Sequence, residues 1–167
     1  MTQDEMVIIV NHNNRIINSC ARKEMRVKGL IHRATYIFVL NHANEIYIQR
    51  RTLTKDMYPG LLDLAAGGVV QQDETYELSA KRELYEELGI GNVSLTSEGD
   101  FYFDDGRRNR VWGRMFICVY NGNLTHQKEE IEEGWFVNVQ DIFAETSANV
   151  TPDTFYALKL LRQRGVV

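Results

Sequence analysis

The residues with most chemistry in this chain are three closely spaced glutamates, Glu83, Glu86 and Glu87. On a helix turning about 100° per residue they fall within an arc of roughly 100°, and Leu78, Leu84, Tyr85 and Leu88 lie around the other side. Like charges at i and i+4 repel, and Glu83 with Glu87 is such a pair, with no basic residue interleaved on that arc. A divalent cation removes the conflict. Mg²⁺ takes hard oxygen ligands, keeps several waters, and is held by a few carboxylates together with the phosphates of a substrate. An acidic helix face is more often simply solvated, so the glutamates alone do not carry this reading. Their surroundings do. Gly67 and Gly68 allow close backbone approach and can offer a carbonyl to the same ion, and Ser79 and Ala80 let the helix pack tightly. Arg82 sits at the flank of the arc, where its planar fork can hold Glu74 or a neighbouring carboxylate.

The elements that must position these groups can be read from periodicity and turn residues. Met6 to Val10 and Arg15 to Asn18 are β-prone runs around Asn11-His12-Asn13-Asn14, and Thr35 to Leu40 and Glu45 to Arg50 repeat the arrangement around Asn41-His42-Ala43-Asn44. Two hairpins are expected, the first within an N-terminal extension over residues 1–30. Leu61 to Val70 is apolar apart from Asp63 and the internal glycines, as expected of buried strands. A helix is expected from about Thr75 to Leu88, stopped by Gly89. Phe101 to Phe103, Val111 to Tyr120 and Trp135 to Val137 read as further strands. Thr151-Pro152 opens a last helix carrying Phe155, Leu158 and Leu161 at helical spacing up to Gly165. A mixed β-sheet between helices, an α/β/α sandwich in one domain over 1–167, is the economical architecture.

The bulk composition narrows the partners. The chain has 167 residues, 44% hydrophobic and 25% charged, ordinary values for one globular domain. A net charge of -4 gives no global field for a nucleic-acid polymer or an anionic membrane. Cys20 and Cys118 stand far apart without metal-ligand spacing, which suits two buried free thiols in a reducing cytosol. The acidic start Met1-Thr2-Gln3-Asp4-Glu5 lacks the basic, then apolar pattern of a leader, so a cytoplasmic protein is expected.

Gly68, Glu74, Arg82-Glu83-Leu84, Glu86-Glu87 and Gly89-Ile90 together resemble the complete box of the Nudix hydrolases. That box is glycine, five residues, glutamate, seven residues, then arginine-glutamate-aliphatic-any-glutamate-glutamate-any-glycine-aliphatic. Each fixed position matches by chance about one time in twenty, so the signal is strong. The resemblance implies a metal-dependent pyrophosphohydrolase of the sandwich fold. It implies metal binding by Glu83 and Glu87, usually with Glu86 and the Gly68 carbonyl, and an orienting salt bridge from Arg82. It also implies a soluble enzyme, commonly a homodimer, that acts with Mg²⁺ or Mn²⁺ on a small diphosphate substrate.

His32-Arg33-Ala34-Thr35, Gln49-Arg50-Arg51, Lys55 and Pro59-Gly60 also resemble isopentenyl diphosphate isomerase, which shares that fold. By alignment the isomerase's cysteine and histidine fall on Ala66 and Gly68, and three of its metal ligands on Met25, Arg108 and Arg110; only His32 survives. Hydrolysis is therefore expected over isomerisation, with a catalytically silent nucleotide-binding module as a third reading. Charge neutralisation and positioning dominate the attack of water on a shielded phosphorus. The proton goes to Glu83 or to a glutamate outside the box, with Glu130 and Glu133 preferred among Glu129, Glu130, Glu132 and Glu133. Arg50, Arg51 and Lys55 are placed to grip phosphate. Arg110, with Arg107 and Arg108, forms either a second clamp or a hairpin tip pairing with Asp104-Asp105. Tyr102 and Trp112 suit sheet packing better than base stacking, and His32 suits a structural role.

Overall fold

The computed structural model describes residues 5–144 and 149–167; the Met1–Asp4 start considered above lies outside them. The strands β1 (Met6–Val10) and β2 (Ile16–Ala21) form the first expected hairpin, and β3 (Ile31–Leu40) and β4 (Glu45–Arg51) flank the second turn. Both turns use the same device. Asn11 Oδ1 accepts the backbone N–H groups of Asn13 and Arg15, at 2.9 and 3.1 Å, and Asn41 Oδ1 accepts those of Ala43 and Glu45, at 2.9 and 3.0 Å. Asn14 and Asn44 then take left-handed φ values of 59° and 58°, which asparagine tolerates.

Four further strands complete the sheet: β5 (Leu62–Asp63), β6 (Thr96–Asp104), β7 (Arg110–Val119) and β8 (Ile131–Asn138). β3 runs parallel to β7 along its whole length, from Ile31↔Arg110 to Leu40↔Val119, while β6 pairs antiparallel with β7 and β8 with β4. β3 and β4, by contrast, are paired at Leu40↔Ile46. Into the gap between them runs the 61–70 segment, bridging Gln49↔Asp63 on β4 and then Ile37↔Ala66 and Ala34↔Val69 on β3. The continuous strands expected there are thus reduced to a two-residue strand and isolated bridges. Gly67, at φ 141°, is the cause, since that backbone conformation interrupts an extended ladder.

The alternating side chains of β3 feed two cores. Ile37 and Val39 point to the face covered by α2 (Tyr76–Leu88), through Ala80, Leu84 and Leu88. Tyr36 and Phe38 point to the face covered by α4 (Pro152–Gln163), through Ala157, Leu158 and Leu161. The result is the expected α/β/α layering around a mixed sheet, with each buried leucine contributing about 1.5–3 kcal/mol of transfer free energy. Thr75 caps α2 by accepting the Leu78 N–H at 3.1 Å, and Gly89 ends it at φ 69°.

Two helices were not expected. α1 (Arg22–Lys28) follows the first hairpin within the N-terminal extension, and the six-residue α3 (Val139–Ala144) follows β8. Cys20 and Cys118 are both buried free thiols. Among the described residues, no helix is long and apolar enough to cross a membrane.

Candidate active site

The helix α2 buries two adjacent rows of side chains. Tyr76, Ala80, Leu84 and Leu88 enter the core, and Ser79, Glu83 and Glu87 lie beside them, also buried. This corrects the expected division into opposed apolar and acidic faces. Leu78 and Tyr85 point to solvent at 56% and 66% exposure, whereas Glu83 and Glu87 are 1% and 4% exposed. Nor is the acidic arc without a cation. The Arg82 guanidinium grips Glu74 with two bonds of 2.6 and 2.9 Å, and its Nη1 also reaches Glu83 Oε1 at 2.9 Å and Glu86 Oε2 at 3.2 Å. Glu86 is exposed and drawn onto Arg82, so the helix presents Glu83 and Glu87 inward and Glu86 outward.

Gly68 lies against the carboxylate of Glu83. Its carbonyl accepts the Thr35 N–H at 3.0 Å, and a Cβ placed on it would lie 2.6 Å from Glu83 Oε1. A side chain at position 68 and the clamped Glu83 carboxylate compete for one space, so the histidine that the isomerase alignment requires there does not fit this arrangement.

A third carboxylate arrives from outside the helix. The Leu88 and Glu87 carbonyls at the α2 C-terminus accept the N–H groups of Thr125 and Gln127, both at 3.0 Å. This answers two of the carbonyls that a helix end leaves unpaired. The chain then turns at Gln127, whose carbonyl accepts from Glu130 and Ile131, while the Thr52 N–H pins the Glu130 carbonyl at 3.1 Å. Glu130 is thereby delivered beside Glu83 and Glu87, and one oxygen from each of the three lies within 4.8 Å of the others. Glu133 is exposed in β8, opposite Arg50, and is not part of this group.

Burial is the largest influence on the Glu83 and Glu87 carboxyls and raises both above the ordinary carboxylate range; Arg82 pulls Glu83 back down, Glu130 pushes both up, and Glu83 adds to the rise at Glu87. Gln49 Nε2 donates to Glu87 Oε1 at 3.0 Å and fixes its orientation without supplying charge. Three hard oxygen donors, two of them buried and mutually repelling, fit a divalent cation such as Mg²⁺.

A cleft runs from Gly67, Gly68 and Glu130 toward α1 and α4. Two of the expected phosphate-gripping residues line it. Arg51 donates to the Met57 carbonyl (2.9 Å) and to Asp63 Oδ2 (2.7 Å), and Lys55 lies 3.4 Å from Glu130 Oε2. The other two do not line it. Arg50 donates to the Gly60 carbonyl at 3.3 Å, and Arg110 pairs with Asp104 at 3.5 Å in the self-paired hairpin tip. Tyr102 and Trp112 pack against each other, centroids 5.6 Å apart, at the edge of the α2-side core.

The cleft also holds groups that the sequence did not single out: Arg22 and Arg26 of α1, and Tyr58, Asn109 and Asp153. The available signal was Arg22 and Arg26 at i and i+4 around Met25, which places two guanidiniums on one helix side. Asp153 Oδ2 accepts from Tyr36 Oη at 2.8 Å, and burial raises its pKa.

His32 is 1% exposed, and its Nδ1 lies 3.2 Å from the Leu30 carbonyl, a donor–acceptor pair in the neutral ring. Burial, then Arg26, hold its pKa down at about 3, with Arg22 lowering and Asp56 raising it further. The unfolded chain takes up this proton below about pH 6.5 and the folded chain does not, so the group costs stability as pH falls. The stability advantage of wild type over His32→Asn is therefore expected to shrink by about 1.4 kcal/mol per pH unit between roughly pH 6 and 4. Urea unfolding of both proteins across that range measures it, and a pH-independent difference would rule it out.

Comparison with known proteins agrees with the fold. The NUDIX domain model matches residues 30–158. The uncharacterized Nudix hydrolase YfcD of Escherichia coli (strain K12) is 44% identical over 165 residues, covering 99% of this chain and 91% of that protein. The crystal structure of DR0079 from Deinococcus radiodurans superposes with a TM-score of 0.80 at 21% identity, covering 93% of this chain and 98% of the other. A bifunctional NMN adenylyltransferase/ADP ribose pyrophosphatase from Francisella tularensis, solved with AMP and Mn ion, gives 0.63 at 16% identity over 80% of this chain and 41% of its own. These two likenesses are likenesses of fold.

Proposed function

The chain belongs to the Nudix hydrolases, and from that premise we propose that it cleaves the diphosphate bond of an organic pyrophosphate, preferentially a nucleoside diphosphate linked to a second group. The observation that carries this reading is the convergence of Glu83, Glu87 and Glu130 at one end of a cleft that also presents Arg51 and Lys55. In it these three glutamates would hold Mg²⁺ or Mn²⁺. A bound ion would neutralise phosphate oxygens and make water easier to deprotonate. Arg82 fixes the Glu83 carboxylate and relieves part of its repulsion, and Glu86 completes that clamp from the solvent side. Lys55 and Arg51 orient the diphosphate, and a carboxylate of the cluster, Glu130 or Glu83, accepts the proton of the attacking water. The Francisella neighbour, solved with AMP and Mn ion, supports the nucleotide and metal parts of the reading.

A panel of organic diphosphates, ADP-ribose and isopentenyl diphosphate included, tests it with Mg²⁺, with Mn²⁺ and with EDTA. The expected result is metal-dependent release of monophosphate products from at least one nucleoside diphosphate derivative. Conversion of isopentenyl diphosphate to its isomer, or tight binding across the panel without turnover, would replace hydrolysis by one of the other two readings.

A further inference from the structure

A cation reaches the carboxylate cluster from outside α2. Lys55 lies in the segment after β4, and backbone contacts clip that segment to the turn that delivers Glu130. The Thr52 N–H donates to the Glu130 carbonyl at 3.1 Å, the Thr52 hydroxyl to the Glu129 carbonyl at 3.2 Å, and the Lys55 N–H to the Thr52 carbonyl at 3.3 Å. Lys55 Nζ thereby comes to 3.4 Å from Glu130 Oε2, with the two side chains only 15% and 12% exposed. Its charge also reaches Glu87, whose carboxyl it pulls down against burial, Glu83 and Glu130. An ammonium in that position opposes any divalent ion drawn to the same oxygens, because like charges a few ångströms apart in a partly buried site repel strongly. Neighbouring cations are anchored elsewhere as well, Arg82 by two bonds to Glu74 and Arg51 by the Met57 carbonyl and Asp63. The Lys55 head, a compact charge on a flexible four-carbon stem, can move without unmaking such an anchor. Lys55 also lines the cleft, so an ammonium that leaves Glu130 stays within reach of a phosphate oxygen there.

We propose that Lys55 is an exchangeable counter-ion of the carboxylate cluster: it contests Glu130 with the metal ion, and it gives Glu130 up for a phosphate oxygen of the diphosphate. This rests on reading the cluster as the metal site of a diphosphate hydrolase. The exchange makes metal and diphosphate binding mutually reinforcing, since each favours the position of Lys55 that the other needs, and such coupling is reciprocal. Without a diphosphate, Lys55 holds the affinity for metal down.

The test is calorimetric titration of Mn²⁺ alone into the full-length protein, in low salt and slightly alkaline buffer, where protons contest the carboxylates least. Lys55→Met keeps most of the stem and removes the charge, and it is expected to bind Mn²⁺ about fivefold or more tighter than wild type. Lys128→Met, which removes an exposed charge from the turn that carries Glu130, is expected to change the affinity by less than about twofold. In the diphosphate panel at saturating Mn²⁺, Lys55→Met is expected to raise KM about fivefold or more, an effect of opposite sign. Thermal melting establishes that each variant is folded. Should Lys55→Met melt below the titration temperature, Lys55→Gln is measured instead with the same expectations. Mn²⁺ binding that is unchanged or weaker in the Lys55 variant, or an equal gain in Lys128→Met, would overturn the proposal, and an unchanged KM would overturn the transfer to phosphate. Tighter Mn²⁺ binding by the Lys55 variant of a protein that cleaves nothing in the panel would retain the contest for Glu130 and remove the hydrolase reading; cleavage with unchanged Mn²⁺ affinity would do the reverse.

Discussion

Replacing Glu87 by glutamine is expected to lower kcat by about a thousandfold or more at saturating Mg²⁺, about 4 kcal/mol of transition-state stabilisation. The fold should survive it. Glutamine keeps the shape and a carbonyl oxygen that can still accept the Gln49 Nε2–H bond made to Glu87 Oε1. What it removes is one negative charge from a buried group that repels Glu83 and Glu130. In EDTA the variant should therefore melt no lower than wild type, and it should gain less from added Mg²⁺, because ligand stabilisation follows affinity. Glu86→Gln is the informative control. Its carboxylate is exposed and held by Arg82, away from the three-glutamate group, so a loss below about tenfold is expected. Steady-state kinetics and melting curves of both variants check this, and equal losses at the two positions would mean that Glu86 joins the metal site directly.

Gly67→Ala should have the largest effect on stability. Its φ of 141° is a conformation that side-chain-bearing residues rarely adopt, and an added Cβ would lie 1.9 Å from the Thr35 carbonyl oxygen. That oxygen belongs to β3, which is locked to β7 over ten residue pairs and cannot retreat. Strain and overlap together should cost about 3 kcal/mol or more, a melting temperature lower by about 10 °C in a domain of this size. Gly68→Ala separates the two glycines. There the added Cβ meets the end of the Glu83 side chain rather than backbone, so the expected damage falls on activity more than on melting. Calorimetric melting and kcat for the pair decide it; a Gly67→Ala variant that melts with wild type would exclude the strain.

The parts of the fold that were legible in sequence are those written by local chemistry. Asparagine turns announced both hairpins, and Thr75 and Gly89 marked the ends of the box helix. The orientation of that helix is not legible, because helical spacing sets the acidic arc opposite the apolar side, while Glu83 and Glu87 are buried beside the core row of Ala80, Leu84 and Leu88. Glu130 was visible only as one of several adjacent glutamates. Its selection depends on the Gln127 N–H bond to the Glu87 carbonyl and the Thr52 bond to its own, backbone contacts that leave no mark in residue type. Helix α1 was missed for a similar reason. It is seven residues long and buries only Arg22 and Met25, too little apolar periodicity to reveal a helix. Arg50 and Arg110 were chosen for charge and nearness in sequence, whereas their bonds to Gly60 and Asp104 hold them away from the cleft lining.

The most direct test is anomalous diffraction from crystals of the protein soaked in Mn²⁺. A manganese peak within direct coordination distance of carboxylate oxygens from Glu83, Glu87 and Glu130, and lost in Glu87→Gln crystals, is the predicted result. Manganese bound elsewhere, or a cluster that stays closed on itself at saturating Mn²⁺, would contradict the assignment of these three carboxylates as the metal site.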